Sequence, residues 1–402
     1  MPDTPAPTPA PVIRSDDPAS FPHSVLAERH PALIRKVRDA TPYGPEQRRA
    51  LDELLRNGTE SVLDPPADDD WWDTWNVRRY TGRSWYSLPF LAAESCFYRQ
   101  LLRAVGYFGP GPFQGVDPFR PFKLAELDTP EAAAELTALG PLSERPLPEQ
   151  LRALLHGSLW GNRADLGFRL QTTGAGDSDT AGSSQLVADD TESLLSLLTG
   201  RSLPTGAPTA ASAGDRTLCL VADNAGRELI PDLLLVDHLL THGHFDRAVL
   251  HLKPYPYFVS DATTADTLDA VHHLVTAKTD AGTRLHTALT EGRLTLRTHP
   301  FSCAPLPYAD MPADLRADFA SADLTVMKGD LNYRRLVGDR LWPPTTPFTE
   351  VTSYFPGPVA ALRTLKSDVI TGLTPRTESA LVTAEGQTWR TSGTRALIQV
   401  KV

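Results

Sequence analysis

Sulfur-bearing side chains are scarce here: three cysteines and three methionines in 402 residues. Cys96, Cys219 and Cys303 are odd in number and too widely spaced for a disulfide framework or a zinc knuckle. Cys219 lies in an apolar stretch and reads as a small buried hydrophobe. No run of about 18 apolar residues occurs, which argues against a membrane span. The start, MPDTPAPTPAPV, has neither a basic end nor an apolar centre, so it does not read as a signal peptide. Basic residues are not in excess. The 39 Lys and Arg against 49 Asp and Glu give a net charge of −10, which disfavours a general nucleic-acid binder but leaves room for a local basic pocket. Few cysteines and no export signal make the cytoplasm the expected location. None of these features sets the oligomeric state.

What is present is a globular composition, 41% apolar and 22% charged. Residues 1–16 read as a disordered, proline-rich tail. From 17 to 200 a mainly helical N-terminal domain is expected, with apolar residues at helical spacing in 21–40, 45–58, 87–108 and 147–161. Two stretches rich in Gly, Ser, Thr, Ala and Pro, 171–185 and 202–215, read as loops, with LVADDTESLLSLLTG between them as one short helix. The linker is placed at 201–215 and a second domain at 216–402. There, apolar strands near 217–222, 247–253, 293–298, 323–328, 359–365 and 395–401 alternate with helices near 227–241 and 264–280. The pattern predicts a three-layer α/β/α fold with a mostly parallel sheet.

The chemistry concentrates at strand ends. In LVADNAGRELIPDLLLVDHLL, an apolar strand stops on Asp223-Asn224, turns through Ala225-Gly226 and enters a helix with Glu228 in its first turn. Acids and amides at the carboxyl ends of parallel strands sit where open α/β sheets bind ligands. Their oxygens suit Mg²⁺ or Mn²⁺. Asp261 follows the next strand, and neighbouring strands lie about 4.8 Å apart, so two carboxylates there can share one cation. Without a cation, two such charges would repel and raise one pKa. Glu228 reads either as a first-turn acid favoured by the helix dipole or as a general base or hydroxyl acceptor. Lys328-Gly329-Asp330-Leu331-Asn332 follows another strand, where loop N–H groups and a helix start favour an anion. Lys253 and Lys366 each follow an apolar strand and are further phosphate ligands or surface charges. His238 and His242 share a helical face, but no Glu accompanies them in an HExxH arrangement, which counts against zinc.

These segments resemble a known family. ADNAGRELIPDLLLVDHLL, KPYPYFVSDAT, LTVMKGDLNYRRLVGD and LRTLKSDVITGL are similar to motifs of the metal-dependent damage-control phosphatases, formerly domain of unknown function 89, in the acidic residue methyltransferase 1-like branch. SLWGNRADL (158–166), RSWYSLPFLAAESCFYRQL (83–101) and ERHPAL (28–33) extend the resemblance upstream. It implies a divalent cation (Mn²⁺, Mg²⁺, Co²⁺ or Ni²⁺) on Asp223, Asn224 and Asp261. It implies substrate contacts from Arg29, Glu228, Lys328 through Asn332, and Lys366. Glu28, His30 and Arg227 depart from the family pattern and bear on substrate choice.

The expected function is therefore metal-dependent hydrolysis of a small phosphorylated metabolite, sugar phosphates foremost, with no nucleic-acid or membrane partner. Asp223, Glu228 and Asp330 are the candidate catalytic residues. The choice of Glu228 or Asp330 for proton transfer, and of water or an aspartate as nucleophile, stays open at this level. Two alternatives stand beside it. One is an S-adenosylmethionine-dependent protein carboxyl methyltransferase, for which Asp261 would be the ribose acid, although the first turn lacks a glycine-rich loop. The other is a non-enzymatic protein that binds phosphorylated metabolites.

Overall fold

The computed structural model describes residues 10–60, 62–161, 185–200 and 215–402. The expected loops 171–185 and 202–215 fall almost wholly outside these residues, as do residues 1–9 and the end of the SLWGNRADL segment.

Among the described residues seven strands form one sheet: β1 (Leu186–Asp189), β2 (Thr217–Val221), β3 (Arg247–Leu252), β4 (Leu294–Thr298), β5 (Leu324–Lys328), β6 (Val359–Thr364) and β7 (Ala396–Lys401). Their order is β1-β7-β6-β5-β2-β3-β4, and every pairing is parallel except β6 with β7. From β2 the chain proceeds outward through β3 and β4, then returns to β5 on the other side of β2. The β2/β5 boundary is thus a topological switch point, where crossovers diverge and leave a crevice at the strand ends.

Side chains alternate between the faces along each strand. Leu218 and Leu220 of β2 enter one core, with the nearly all-buried helix Leu229–Thr241; Cys219 and Val221 enter the other. The N-terminal helices lie on both faces. His30–Ala40, Pro45–Glu60 and Phe90–Ala104 join the core containing Cys219, while Pro130–Ser143 and Leu147–Trp160 join the one containing Leu218. The helical N-terminal part therefore shares its cores with the sheet.

Two expectations are corrected. The single helix read across 186–200 is a strand followed by a helix: β1 pairs with β7, and the helix spans only Thr191–Thr199. Sheet pairing overrides the weak helical pattern of Leu-Val-Ala-Asp, and β1 joins the sheet from the N-terminal side of the expected linker. The second concerns the described part of the expected tail. Residues 10–16 lie against the body: Ile13 is buried, Phe90 N–H donates to Ile13 O at 2.9 Å, and Val12 bridges Arg340. An extended segment can form such bonds where prolines do not occupy the donor positions.

Candidate active site

Asp223 and Asn224 leave the carboxyl end of β2, beside the carboxyl end of β5 at the switch point. β5 ends on Lys328, and the helix Gly329–Val337 starts at once. Gly329 has φ of +82°, and a Cβ on it would overlap the Asp223 carboxylate. Only glycine permits both the backbone conformation and this approach.

Asp261 arrives by a longer route than the sequence suggests. β3 stops at Leu252, and residues 253–260 loop out and back. Phe258 and Val259 both have positive φ, 46° and 64°; for a β-branched residue such as Val259 this is an unusual, locally strained conformation. Backbone bonds hold the return: Ala262 N–H to Asp223 O at 2.8 Å and Ala225 N–H to Ser260 O at 2.6 Å. Asn224 and Asp261 consequently face each other across an isolated bridge.

The side chains are ordered by their own bonds. Asn224 donates from Nδ2 to Glu228 Oε2 and accepts at Oδ1 from Ser260 Oγ, each at 2.8 Å. Asp261 lies 3.3 Å from Lys253 Nζ, which also donates to Ser302 O at 3.0 Å. The Asp223 carboxylate makes no hydrogen bond or ion pair with any described residue. Burial pushes its carboxyl well above the usual range, and the Asp261 and Glu228 carboxylates push it further. Burial also raises Asp261, against the pull of Lys253 and Lys123.

Asp223 and Asn224 open onto a cavity of about 390 Å³, whereas Asp261 is buried and is not among its lining residues. Its lining includes Asp223, Asn224, Glu228, Lys328 and Gly329 together with Arg29, Lys366, Thr391 and Ser392. Arg29 and Lys366 form no ion pair with a described residue. Arg29 ends a π-helical turn, Val25–Arg29, an irregularity often found at functional sites. Lys328 is more constrained: its Nζ lies 3.1 Å from Asp232 Oδ1 and donates to Ser158 O, while Ser158 Oγ donates to Asp232 at 2.6 Å. Much of its charge is therefore offset by Asp232.

Several expected site residues are engaged elsewhere. Lys253 does not line the cavity; it is the buried counter-charge of Asp261. Asp330 points to Arg363, whose Nε and Nη2 stand 2.8 and 2.7 Å from Oδ1, and it accepts from Ser367 Oγ at 3.1 Å. Burial alone would raise its carboxyl, yet Arg363 and Arg334 hold it below the usual value. Asn332 donates to Ala222 O and Lys328 O at 2.9 and 2.8 Å and accepts from Tyr308 OH, so it ties β2 to β5. Leu331 packs into the core.

Two of the three departing residues, His30 and Arg227, are held by packing or an ion pair, while Glu28 is exposed. His30 stacks on Phe97 with ring centroids 3.7 Å apart, and burial drives its pKa to about 3, so it is neutral. Arg227 binds Glu135 of the Pro130–Ser143 helix, with Nε at 3.0 Å. His238 is buried and its pKa falls to about 4. Ser158, Asp232 and the 391–393 loop were missed; an acid inside the apolar helix Leu229–Thr241 was the available signal for Asp232.

The candidate metal set is two carboxylates and an amide. Among the described residues no group of three or more His, Cys, Asp or Glu is arranged to hold a metal. An all-oxygen set with a buried, unpartnered carboxylate nonetheless fits a hard divalent cation, which would relieve the repulsion at Asp223.

A mostly parallel sheet, acidic residues at the strand ends of its switch point and cations lining the same cavity suit an anionic substrate. The sequence matches the damage-control phosphatase ARMT1-like domain over residues 25–381, and the chain belongs to that family, which is one of phosphatases. Damage-control phosphatase ARMT1 of Danio rerio is 30% identical, over 94% of this chain and 94% of its own length. The mouse protein of the same name is 29% identical, over 96% and 97%. A solved DUF89-family protein of Pyrococcus horikoshii is similar at a TM-score of 0.44 and 16% identity, over 88% of this chain and 94% of that one.

Proposed function

We propose that this phosphatase hydrolyses small phosphorylated metabolites, sugar phosphates foremost, with a divalent cation held by Asp223, Asn224 and Asp261. The observation that carries the reading is the buried, unpaired Asp223 carboxylate beside two other acids, on a cavity that the unpaired cations Arg29 and Lys366 also line. The chemistry a bound cation supplies is polarisation of a phosphoryl oxygen and activation of water. Lys366, Arg29 and the N–H groups opening the Gly329–Val337 helix hold the phosphoryl oxygens. Glu228 engages Asn224 through Oε2, which leaves Oε1 to accept a proton or a substrate hydroxyl. Asp330 is assigned away from proton transfer: paired with Arg363, it holds the loop that carries Lys366, whose N–H lies 3.4 Å from its Oδ1.

The methyltransferase alternative draws little support. It needs an open glycine-rich turn after β2, but Glu126 and the carbonyl of Lys123 cover Gly226. A cytoplasmic location is part of the proposal, supported by three buried free cysteines. Among the described residues no helix is long and apolar enough to cross a membrane.

The deciding experiment is phosphate release from a panel of sugar and nucleotide phosphates, run with Mn²⁺, Mg²⁺, Co²⁺ or Ni²⁺ and with chelator. Release should need a divalent ion and disappear in Asp223→Ala and Asp261→Ala. Full metal-stimulated activity in either variant would overturn the site.

A further inference from the structure

The helix Arg120–Leu127 belongs to the N-terminal helical part, yet it lies against both acidic segments of the site. Lys123 is 4% exposed, and its ammonium group has three oxygen partners. Nζ stands 2.8 Å from Asp266 Oδ2, 3.0 Å from Asp117 Oδ2 and 3.2 Å from the carbonyl oxygen of Asp261. A lysine ammonium has three donors, so none is left over. Asp266 is itself fixed: its carboxylate accepts from Thr263 N–H at 2.9 Å, closing the capping box of the helix Thr264–Thr276. Lys123 therefore grips Asp261 at its own carbonyl and, through Asp266, two residues further on at Thr263. This is the point where the strained 253–260 loop rejoins the sheet.

One turn later, the same helix covers the other segment. A Cβ on Gly226 would run into Glu126, and Gly226 has φ of +66°. The Arg227 N–H stands near enough to the Glu126 carboxylate to pull its pKa down, against the burial that raises it. Gly226 and Arg227 lie between Asn224 and Glu228, so this contact sets the turn that joins them.

We infer that Lys123 and Glu126 are positioning residues that together set the spacing of the metal-binding oxygens of Asp223, Asn224 and Asp261. The inference rests on the proposed metal set. Neither Lys123 nor Glu126 lines the cavity; they act through the backbone at 261 and at 226–227. Partners behind metal ligands typically change metal affinity or activity by about 10- to 100-fold when removed. The contact from a separate helical layer also braces the acidic loop just past its two successive positive-φ residues.

The test is Mn²⁺ binding by calorimetry to the full-length, metal-stripped protein. Lys123→Met is combined with Asp117→Asn, which neutralises one of the two aspartates on the ammonium group; the other, Asp266, keeps its bonds from Thr263 N–H and Oγ1. Glu126→Ala is the second variant; its side chain is exposed, so the fold survives. Circular dichroism verifies folding of each. The Lys123 double variant should bind Mn²⁺ about 10- to 100-fold more weakly and Glu126→Ala about 10-fold more weakly. At saturating Mn²⁺ the KM for a phosphate ester should stay near that of the wild type, because the substrate-facing cations are untouched. Wild-type Mn²⁺ affinity in the folded variants would overturn the inference while leaving the metal set standing. Absence of Mn²⁺ binding in the wild-type protein would overturn both. Should the Lys123 variant not fold, Glu126→Ala decides alone.

Discussion

The Asp223 carboxylate occupies the space that a side chain on Gly329 would need. The two residues stand 106 positions apart in the chain and meet because β2 and β5 are parallel neighbours at the switch point. Gly329→Ala should therefore damage the site twice, by the unfavourable φ of +82° and by displacing the carboxylate. The expected result is a kcat/KM lower by about 100-fold with the fold kept, comparable to loss of a ligand's support. Metal-stimulated phosphate release beside circular dichroism checks it; near-normal turnover would show that the carboxylate's position does not matter.

Arg29 and Lys366 line the cavity without ion-pair partners among the described residues. Replacing either with Ala should raise KM for a phosphate ester by about 10-fold or more, the usual worth of a charge-assisted hydrogen bond. Mn²⁺ affinity should not change. Steady-state kinetics with a calorimetric control separates the two effects, and an unchanged KM in both variants would remove these residues from substrate binding.

Asn332 is predicted to act on stability. Asn332→Ala strands the carbonyls of Ala222 and Lys328 at the strand ends, at a cost of about 2–3 kcal/mol. Urea unfolding measures this. A variant as stable as wild type, but with a raised KM, would restore Asn332 to the substrate site.

A buried triad, Glu94–Arg334–Asp339, sets a pH dependence. Glu94 Oε2 is 2.9 Å from Arg334 Nη1, and Arg334 Nε is 2.6 Å from Asp339 Oδ1. Burial raises the Glu94 pKa from 4.5 to about 7, with Arg334 opposing. Between those values the folded protein holds a proton that the unfolded chain has released, so this group's contribution to stability falls as pH rises from 4.5 to about 7. Glu94→Gln keeps the acceptor for Arg334 and removes the titration. Relative to wild type it should gain on the order of 2 kcal/mol across that window. Parallel stability curves for the two proteins, from chemical unfolding at each pH, would refute the assignment.

Legibility in the sequence followed locality. Short apolar runs such as Thr217–Val221 and Leu324–Lys328 carry their strand character in neighbouring residues, and Asp223 and Gly329 declare themselves by following such runs. β1 was misread because Leu-Val-Ala-Asp becomes a strand only through β7, about 210 residues later. Lys253 and Asp330 resembled site residues by position alone. The sequence does not show that one is the counter-charge of Asp261 and the other the partner of Arg363.

By itself, the sequence determined the α/β rhythm, the acidic and basic residues at the strand ends, and the absence of a disulfide framework. Only the tertiary structure decided which ends face one another across β2 and β5, which charges are neutralised, and which helix holds Asp261 and Gly226 in place. The physical reason is range. Strand and helix patterns are carried by residues a few positions apart, whereas the charge of a buried side chain depends on groups that chain folding brings within about 3–4 Å.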